Sequence, residues 1–241
     1  ELVNLKKIDL SKNRLKRIDR HLFGLTRKLE DVNFSENELD EENALVGLTE
    51  LVSVVNLDIS NCQIQKISPS LFKKLAKLQK INLNFNPIIL LPNMFDHAKS
   101  LTTVYMSECG ITSIPAYLFD HNPNFEKLDI SHNRITTLHE SLFNKTLNFK
   151  YLNISHNLIN DLSIKIFQWT SLTEIDLSYN KFTTILPELL NMETLESVHA
   201  QHNEISFLED AAFSSCTYPI VYLDLSYNRL VYLQEYFFDW L

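Results

Sequence analysis

The stretch LDISHNRI at residues 128–135 returns at 152–159 as LNISHNLI. A chain assembled from copies of one short unit folds by stacking them, so this recurrence constrains the architecture more than any composition can. Written as L-x-x-L-x-L-x-x-N-x-L, the unit fits ten times. Its copies are LKKIDLSKNRL (5–15), LEDVNFSENEL (29–39), VVNLDISNCQI (54–64), LQKINLNFNPI (78–88) and LTTVYMSECGI (101–111). They continue with FEKLDISHNRI (125–135), FKYLNISHNLI (149–159), LTEIDLSYNKF (172–182), LESVHAQHNEI (195–205) and IVYLDLSYNRL (220–230). The ninth position is Asn13, Asn37, Cys62, Asn86, Cys109, Asn133, Asn157, Asn180, Asn203 and Asn228, with spacings of 23 to 25 residues throughout. These units are numbered repeats 1 to 10.

Each slot has a physical reading. In a short strand alternate side chains face opposite ways, so the fourth and sixth positions, such as Leu128 and Ile130, are expected inside and Asp129 outside. Parallel strands about 4.8 Å apart would make ten copies a sheet of roughly 43 Å. The ninth-position residues form a structural ladder. A buried amide there offers two donors and an acceptor to the backbone of its own and the next turn. Cys62 and Cys109 fill the slot as small buried residues, and two repeats of separation, about 10 Å, is too far for a disulfide. Cys216, on the outer segment of repeat 9, is expected to be free. A second half follows each phrase, as in ITTLHESLF (135–143), with an aliphatic residue three past the phrase and a Phe five later. Phe23, Phe72, Phe95, Phe119, Phe143, Phe167, Phe213 and Phe238 fill the Phe slot, and Leu190 replaces it once.

This pattern resembles the leucine-rich repeat family across essentially the whole chain. The 24-residue, Phe-bearing form is similar to the subclass found in Toll-like receptor ectodomains, Slit proteins and secreted immune repeat proteins. The resemblance implies an α/β repeat solenoid: a curved horseshoe with a parallel β-sheet on its concave face and short irregular or helical segments on its convex face. Residues 1–241 then form a single solenoid of about ten repeats. Extracellular members usually carry cysteine-rich caps, and neither is present between LVNL and FFDWL, so the sequence reads as a segment of a longer protein.

Repeat 2 departs from the pattern. ELDEENALVGLTELVSV follows Asn37 without a Phe, and Asp40 is expected to cap a short helix carrying Leu45, Leu48 and Leu51 into the vacant space. A partner-binding insertion is the competing reading. Charge is uneven here too. Residues 6–28 hold nine basic side chains, and residues 30–50 hold eight acidic ones and no basic one. Opposite fields on adjacent repeats would orient a partner, although a solvated end of the array has the same composition.

Several chemistries are disfavoured. Only three glycines occur, and there is no Walker loop, G-x-S-x-G or H-E-x-x-H. A net charge of −8 argues against a general nucleic-acid binder. The column Asp9, Asp58, Asp129, Asp176 and Asp224 reads as solvated surface rather than acid–base machinery. No catalytic residue, metal site or cofactor is expected. His132 and His156 occupy neighbouring equivalent slots, close enough to share an ion, but no tetrahedral set of Cys and His accompanies them.

The third, fifth, seventh and eighth positions are expected to face outward from the concave sheet. They hold His132, His156, His199 and His202 together with Tyr105, Tyr151, Tyr179, Tyr222 and Tyr227, and Phe85 lies nearer the start. Tyrosine-rich surfaces are typical of protein interfaces, and clustered imidazoles would gain charge at endosomal pH. These nine His and Tyr residues are the candidate ligand-binding band. Three sequons occur, at Asn33, Asn144 and Asn153. Asn144 lies on an outer loop, whereas a glycan on Asn153 would cover the band.

The sequence therefore reads as a recognition module of an extracellular or cell-surface receptor, first of the Toll-like innate-immune kind. A protein ligand or co-receptor and a homo- or heterodimer fit that reading, with membrane attachment only through a segment outside it. Cell adhesion or matrix assembly is the second reading, and an intracellular scaffold the third.

Overall fold

The computed structural model describes residues 2–40, 43–209 and 220–233. Ten three-residue strands form one parallel sheet in chain order. They are β1 (Lys7–Asp9), β2 (Asp31–Asn33), β3 (Asn56–Asp58), β4 (Lys80–Asn82), β5 (Thr103–Tyr105), β6 (Lys127–Asp129), β7 (Tyr151–Asn153), β8 (Glu174–Asp176), β9 (Ser197–His199) and β10 (Tyr222–Asp224). Each covers the third to fifth positions of a phrase, and like pairs with like: Leu128 lies opposite Leu152, and Leu152 opposite Ile175. The chain is an α/β repeat solenoid with the parallel sheet on its concave face.

The strands are short because every phrase turns at the same place. The eighth position is left-handed in all ten repeats, with φ between 49° and 59° at Lys12, Glu36, Asn61, Phe85, Glu108, His132, His156, Tyr179, His202 and Tyr227. None is a glycine, so each carries a cost of about 1 kcal/mol. Bonds between turns offset it: His132 N donates to Ser155 O and His156 N to Ser178 O, both at 2.9 Å. The fifth position prepares the turn. Asp or Asn there accepts from the seventh-position amide, as in Ser11 N to Asp9 Oδ1 at 2.9 Å and Ser131 N to Asp129 Oδ1 at 3.0 Å. The aspartate column is thus a set of turn-formers rather than only solvated surface. The seventh position turns partly inward instead of outward, leaving Ser131, Ser155 and Ser178 buried.

The ninth-position ladder links each turn to the one before it, not to the next. Asn133 Nδ2 donates to Met106 O of the preceding turn and to Ile130 O and Ser131 O of its own. Its Oδ1 accepts from Cys109 N and Ile111 N of the preceding turn at 3.0 Å each. Asn13 bonds only its own turn, at Leu10 O and Ser11 O, and is exposed. Cys62 and Cys109 are free, buried thiols donating back to Phe34 O and Leu83 O. A thiol has no counterpart to the amide oxygen. Both cysteine turns add a second left-handed residue, Gln63 and Gly110, and at the first the Cys62 carbonyl takes the Leu39 N–H. Burial pushes both thiols up to about 11. Cys216, Phe213 and Phe238 lie outside the described residues.

The opposite wall is a spine of rings. Phe72, Phe95, Phe119, Phe143 and Phe167 are buried, with centroids 5.8 Å apart for Phe95–Phe119 and 6.4 Å for Phe119–Phe143. Two first-position rings thicken it: Phe125 stacks on Phe119 at 4.0 Å and Phe149 on Phe143 at 3.9 Å. Repeat 4 is one residue shorter between Asn86 and Phe95, so Leu90 packs inward and Leu91 is exposed. Helical turns occur at Val46–Glu50, Pro69–Lys73 and Ile164–Phe167 (3-10) and at Pro187–Leu190 (α1).

In repeat 2 the 3-10 turn fills the space of the missing Phe with Leu48 and Leu51, as expected, while Leu45 is only partly buried. Leu45, not Asp40, occupies its N-cap. Gly47 lets the turn approach repeat 1 backbone to backbone, with Gly47 N on Ile18 O at 2.9 Å. A Cβ there would sit 2.4 Å from Asp19 O. Three pairs of opposite charges link repeats 1 and 2: Lys6–Glu30 at 3.0 Å, Lys7–Asp31 at 2.6 Å and Lys12–Glu36 at 3.6 Å. Hydrogen bonding to Asp31 raises the Lys7 pKa and lowers that of Asp31. These pairs join side chains of successive turns at the surface.

Candidate functional site on the concave face and its rim

The nine candidate residues separate into three groups. His132, His156, Tyr179, His202 and Tyr227 are all eighth-position residues, so they stand on the left-handed turns at the rim of the sheet. Identical backbone geometry in successive repeats stacks their rings, with centroids 3.9, 3.9, 4.1 and 4.2 Å apart and planes within 14°. Histidine is enriched at left-handed positions, which gives the imidazoles a structural reason to be there. Stacking uses up the inner ring faces and leaves edges outward, and Tyr227 is 76% exposed. Burial first, then the neighbouring His132, lowers the pKa of His156; His202 adds to this and Asp176 opposes it. His132 and His156 lie face to face, so their nitrogen lone pairs, in parallel planes, do not converge. No group of three metal-ligating side chains occurs among the described residues.

The second group lies on the sheet face. Tyr105 on β5 and Tyr151 on β7 flank Lys127 of β6, whose Nζ sits 5.7 Å from the first ring centroid and 3.8 Å from the second. Lys80 Nζ approaches Tyr105 from the other side at 4.9 Å. Half-burial, with Asp129, Glu174 and Asp176 nearby, pushes the Tyr151 phenol up to about 12, so it is a neutral donor at physiological pH. The third group pairs His199 of β9 with Tyr222 of β10 at 4.7 Å. His199 Nε2 lies 3.3 Å from Ser197 Oγ and 3.8 Å from Glu174.

Sequence reasoning missed Lys127, which bridges two predicted tyrosines through its place on the strand between them. It also missed a polar basin of about 810 Å³ over β1 to β5, lined by side chains including Lys7, Asp9, Asp31, Asn56, Asp58, Lys80 and Tyr105. Asn56 donates to Asp31 and Asn82 to Asp58 within it. The concave face is therefore charged and amide-rich over β1 to β4 and aromatic from β5 onward.

Of the sequon residues, Asn144 is exposed. Asn33 and Asn153 are half-buried on β2 and β7, with their Oδ1 atoms accepting from Ser35 N and Ser155 N at 2.9 Å. They are turn-formers of the fifth-position column.

A parallel repeat sheet with an ordered, outward-facing set of side chains defines a repeat-solenoid binding module. The Leucine rich repeat model matches residues 52–111 and 99–159, and the BspA type Leucine rich repeat region (6 copies) model matches residues 160–240. The chain belongs to the leucine-rich repeat family. No curated protein sequence matches it. Among solved structures, the TLR13–ssRNA13 complex is similar over 100% of this chain and 35% of that one, at 28% identity and a TM-score of 0.85. The Toll–Spatzle complex, a molecular hub in Drosophila development and innate immunity, is similar over 94% of this chain and 34% of that one, at 24% identity and a TM-score of 0.75. A leucine-rich repeat protein of Leptospira interrogans is similar over 96% and 57%, at 20% identity and a TM-score of 0.84. The chain thus spans about a third of the length of the two receptors it matches.

Proposed function

We propose that the chain is a ligand-recognition segment of an extracellular or cell-surface receptor of the Toll-like kind. In this reading it binds a protein ligand or co-receptor through the concave face beyond β4. One observation carries the reading. The fifth position is Asp or Asn in eight of ten repeats and there forms the turn; the two exceptions are Tyr105 and His199. Both belong to the aromatic groups on the sheet face. At Tyr105 the lost contact is replaced by the preceding repeat, where Asn84 Oδ1 takes the Ser107 amide at 2.7 Å. A repeat that gives up its turn-former for a half-buried ring on the sheet face, as at Tyr105 where a neighbour covers the loss, is where function overrides the structural rule.

The partner of TLR13 in its solved complex is RNA, which makes nucleic acid the second reading. Two features favour protein over RNA here. The net charge is −8, and the rim rings stack on one another, whereas nucleobases need free ring faces. The test is a binding panel of secreted proteins, co-receptor ectodomains and single-stranded RNA against the wild-type chain, Tyr105→Ala, Tyr151→Ala, His199→Ala and the off-site control Lys66→Ala. We expect a protein hit weakened at least tenfold by the concave variants and unchanged by Lys66→Ala. A hit indifferent to all three concave variants overturns the site, and preference for RNA overturns the partner class.

A further inference from the structure

A second cavity lies away from the concave face and owes nothing to the reading above. It holds about 200 Å³ between the segments that follow β7 and β8. Its walls include Leu162, Phe167, Phe182, Ile185 and Leu189, all buried. The polar lining residues Asn160, Asp161 and Thr183 are exposed, so the cavity has an apolar interior and a polar mouth.

The repeat pattern explains why the space is here. From Phe72 to Phe167 every Phe slot is filled by a ring, and Phe125 and Phe149 thicken that wall from the first position. Beyond Phe167 the next Phe slot is Leu190, and the first positions are Leu172 and Leu195. Repeat 7 is also one residue shorter, with five residues from Phe167 to Leu172 against six from Phe143 to Phe149. Protein interiors are otherwise close-packed, and losing rings without smaller spacing leaves a void. Phe182 replaces the usual Ile or Leu at the eleventh position and supplies a fresh ring to the cavity wall instead of closing it.

We propose that this cavity is a binding site for a small apolar molecule, an aromatic or branched aliphatic body with one hydrogen-bond donor directed at the Asp161 carboxylate. The size follows from volume. An apolar cavity of about 150 Å³ takes benzene, so this one suits roughly six to ten non-hydrogen atoms. The donor follows from the mouth, where Asp161 is oriented by accepting from Leu162 N at 2.8 Å.

The test is a titration of the methyl-labelled chain with indole and with toluene, followed by NMR. Saturable shifts confined to the methyls of Leu162, Ile185 and Leu189, with indole binding several-fold tighter than toluene, are the expected result. Asp161→Asn should narrow the indole preference. Leu189→Phe should fill the cavity and weaken both probes at least tenfold; should it not fold, Thr183→Trp at the exposed mouth serves the same purpose. Absence of saturation up to the solubility limit, shifts spread over the concave face, or unaltered binding in the filled variant would each overturn the site.

Discussion

Replacing Asn133 with alanine isolates what the ladder contributes. The side chain accepts from two buried backbone amides, Cys109 N and Ile111 N, and donates to three carbonyls. Alanine leaves both amides without that acceptor, and each buried unsatisfied group costs about 1–3 kcal/mol, so the loss should total roughly 2–6 kcal/mol. Asn13 supplies the control within the same column. Its two bonds stay within its own exposed turn, and Asn13→Ala should cost about 1 kcal/mol or less. Urea unfolding of both variants, followed by far-UV circular dichroism, measures the difference. If the two losses agree within about 1 kcal/mol, links between turns are not what the ladder supplies.

Four further outcomes follow from the same geometry. Gly47→Ala should destabilise by about 1–3 kcal/mol, because its Cβ would meet backbone at Asp19 and Ile18 that cannot rotate away; a neutral urea midpoint would count against that packing. The folded-state pKa of His156 lies below its ordinary value of 6.5, so the unfolded chain binds the extra proton first. Its contribution is therefore intact above that value and is lost as pH falls from there through the folded pKa, and His156→Gln should flatten the midpoint between pH 7.5 and 5. Cys62 and Cys109 should resist iodoacetamide in the native protein and react once it is unfolded; native labelling of either would contradict their burial. Glycopeptide mapping of protein from a secretory host should find glycan at Asn144 and none at Asn33 or Asn153. Glycan at Asn153 would move the proposed site off the concave face.

Periodicity made the strands, the inward fourth and sixth positions and the Phe spine legible in the sequence, because each depends on one residue type recurring at one slot. Directional features were not legible. That an asparagine at position nine can reach two turns follows from its amide, but that it reaches back depends on the handedness of the coil and on where the chain turns. The left-handed eighth position was equally hidden. Lys12, Phe85, Tyr179 and His132 share no side-chain property that announces it, and at each of these four a bond between turns compensates. Asp40 failed as a cap because the helical turn starts later, at Val46 with Leu45 as its N-cap, where Gly47 can meet Ile18.

Repetition itself provides the control that a single sequence ordinarily lacks. Ten copies of one turn show what each position requires, so a residue serving only the fold can be told from one that departs from it. His132 and His156 obey the left-handed rule and need no function to explain them. Tyr105 and His199 break the turn-forming rule, and the first is rescued by Asn84 from the neighbouring repeat. These two positions are therefore the centre of the proposed binding site. The more numerous rim rings come second, and a ligand that touched the rim while ignoring Tyr105 and His199 would reverse that order.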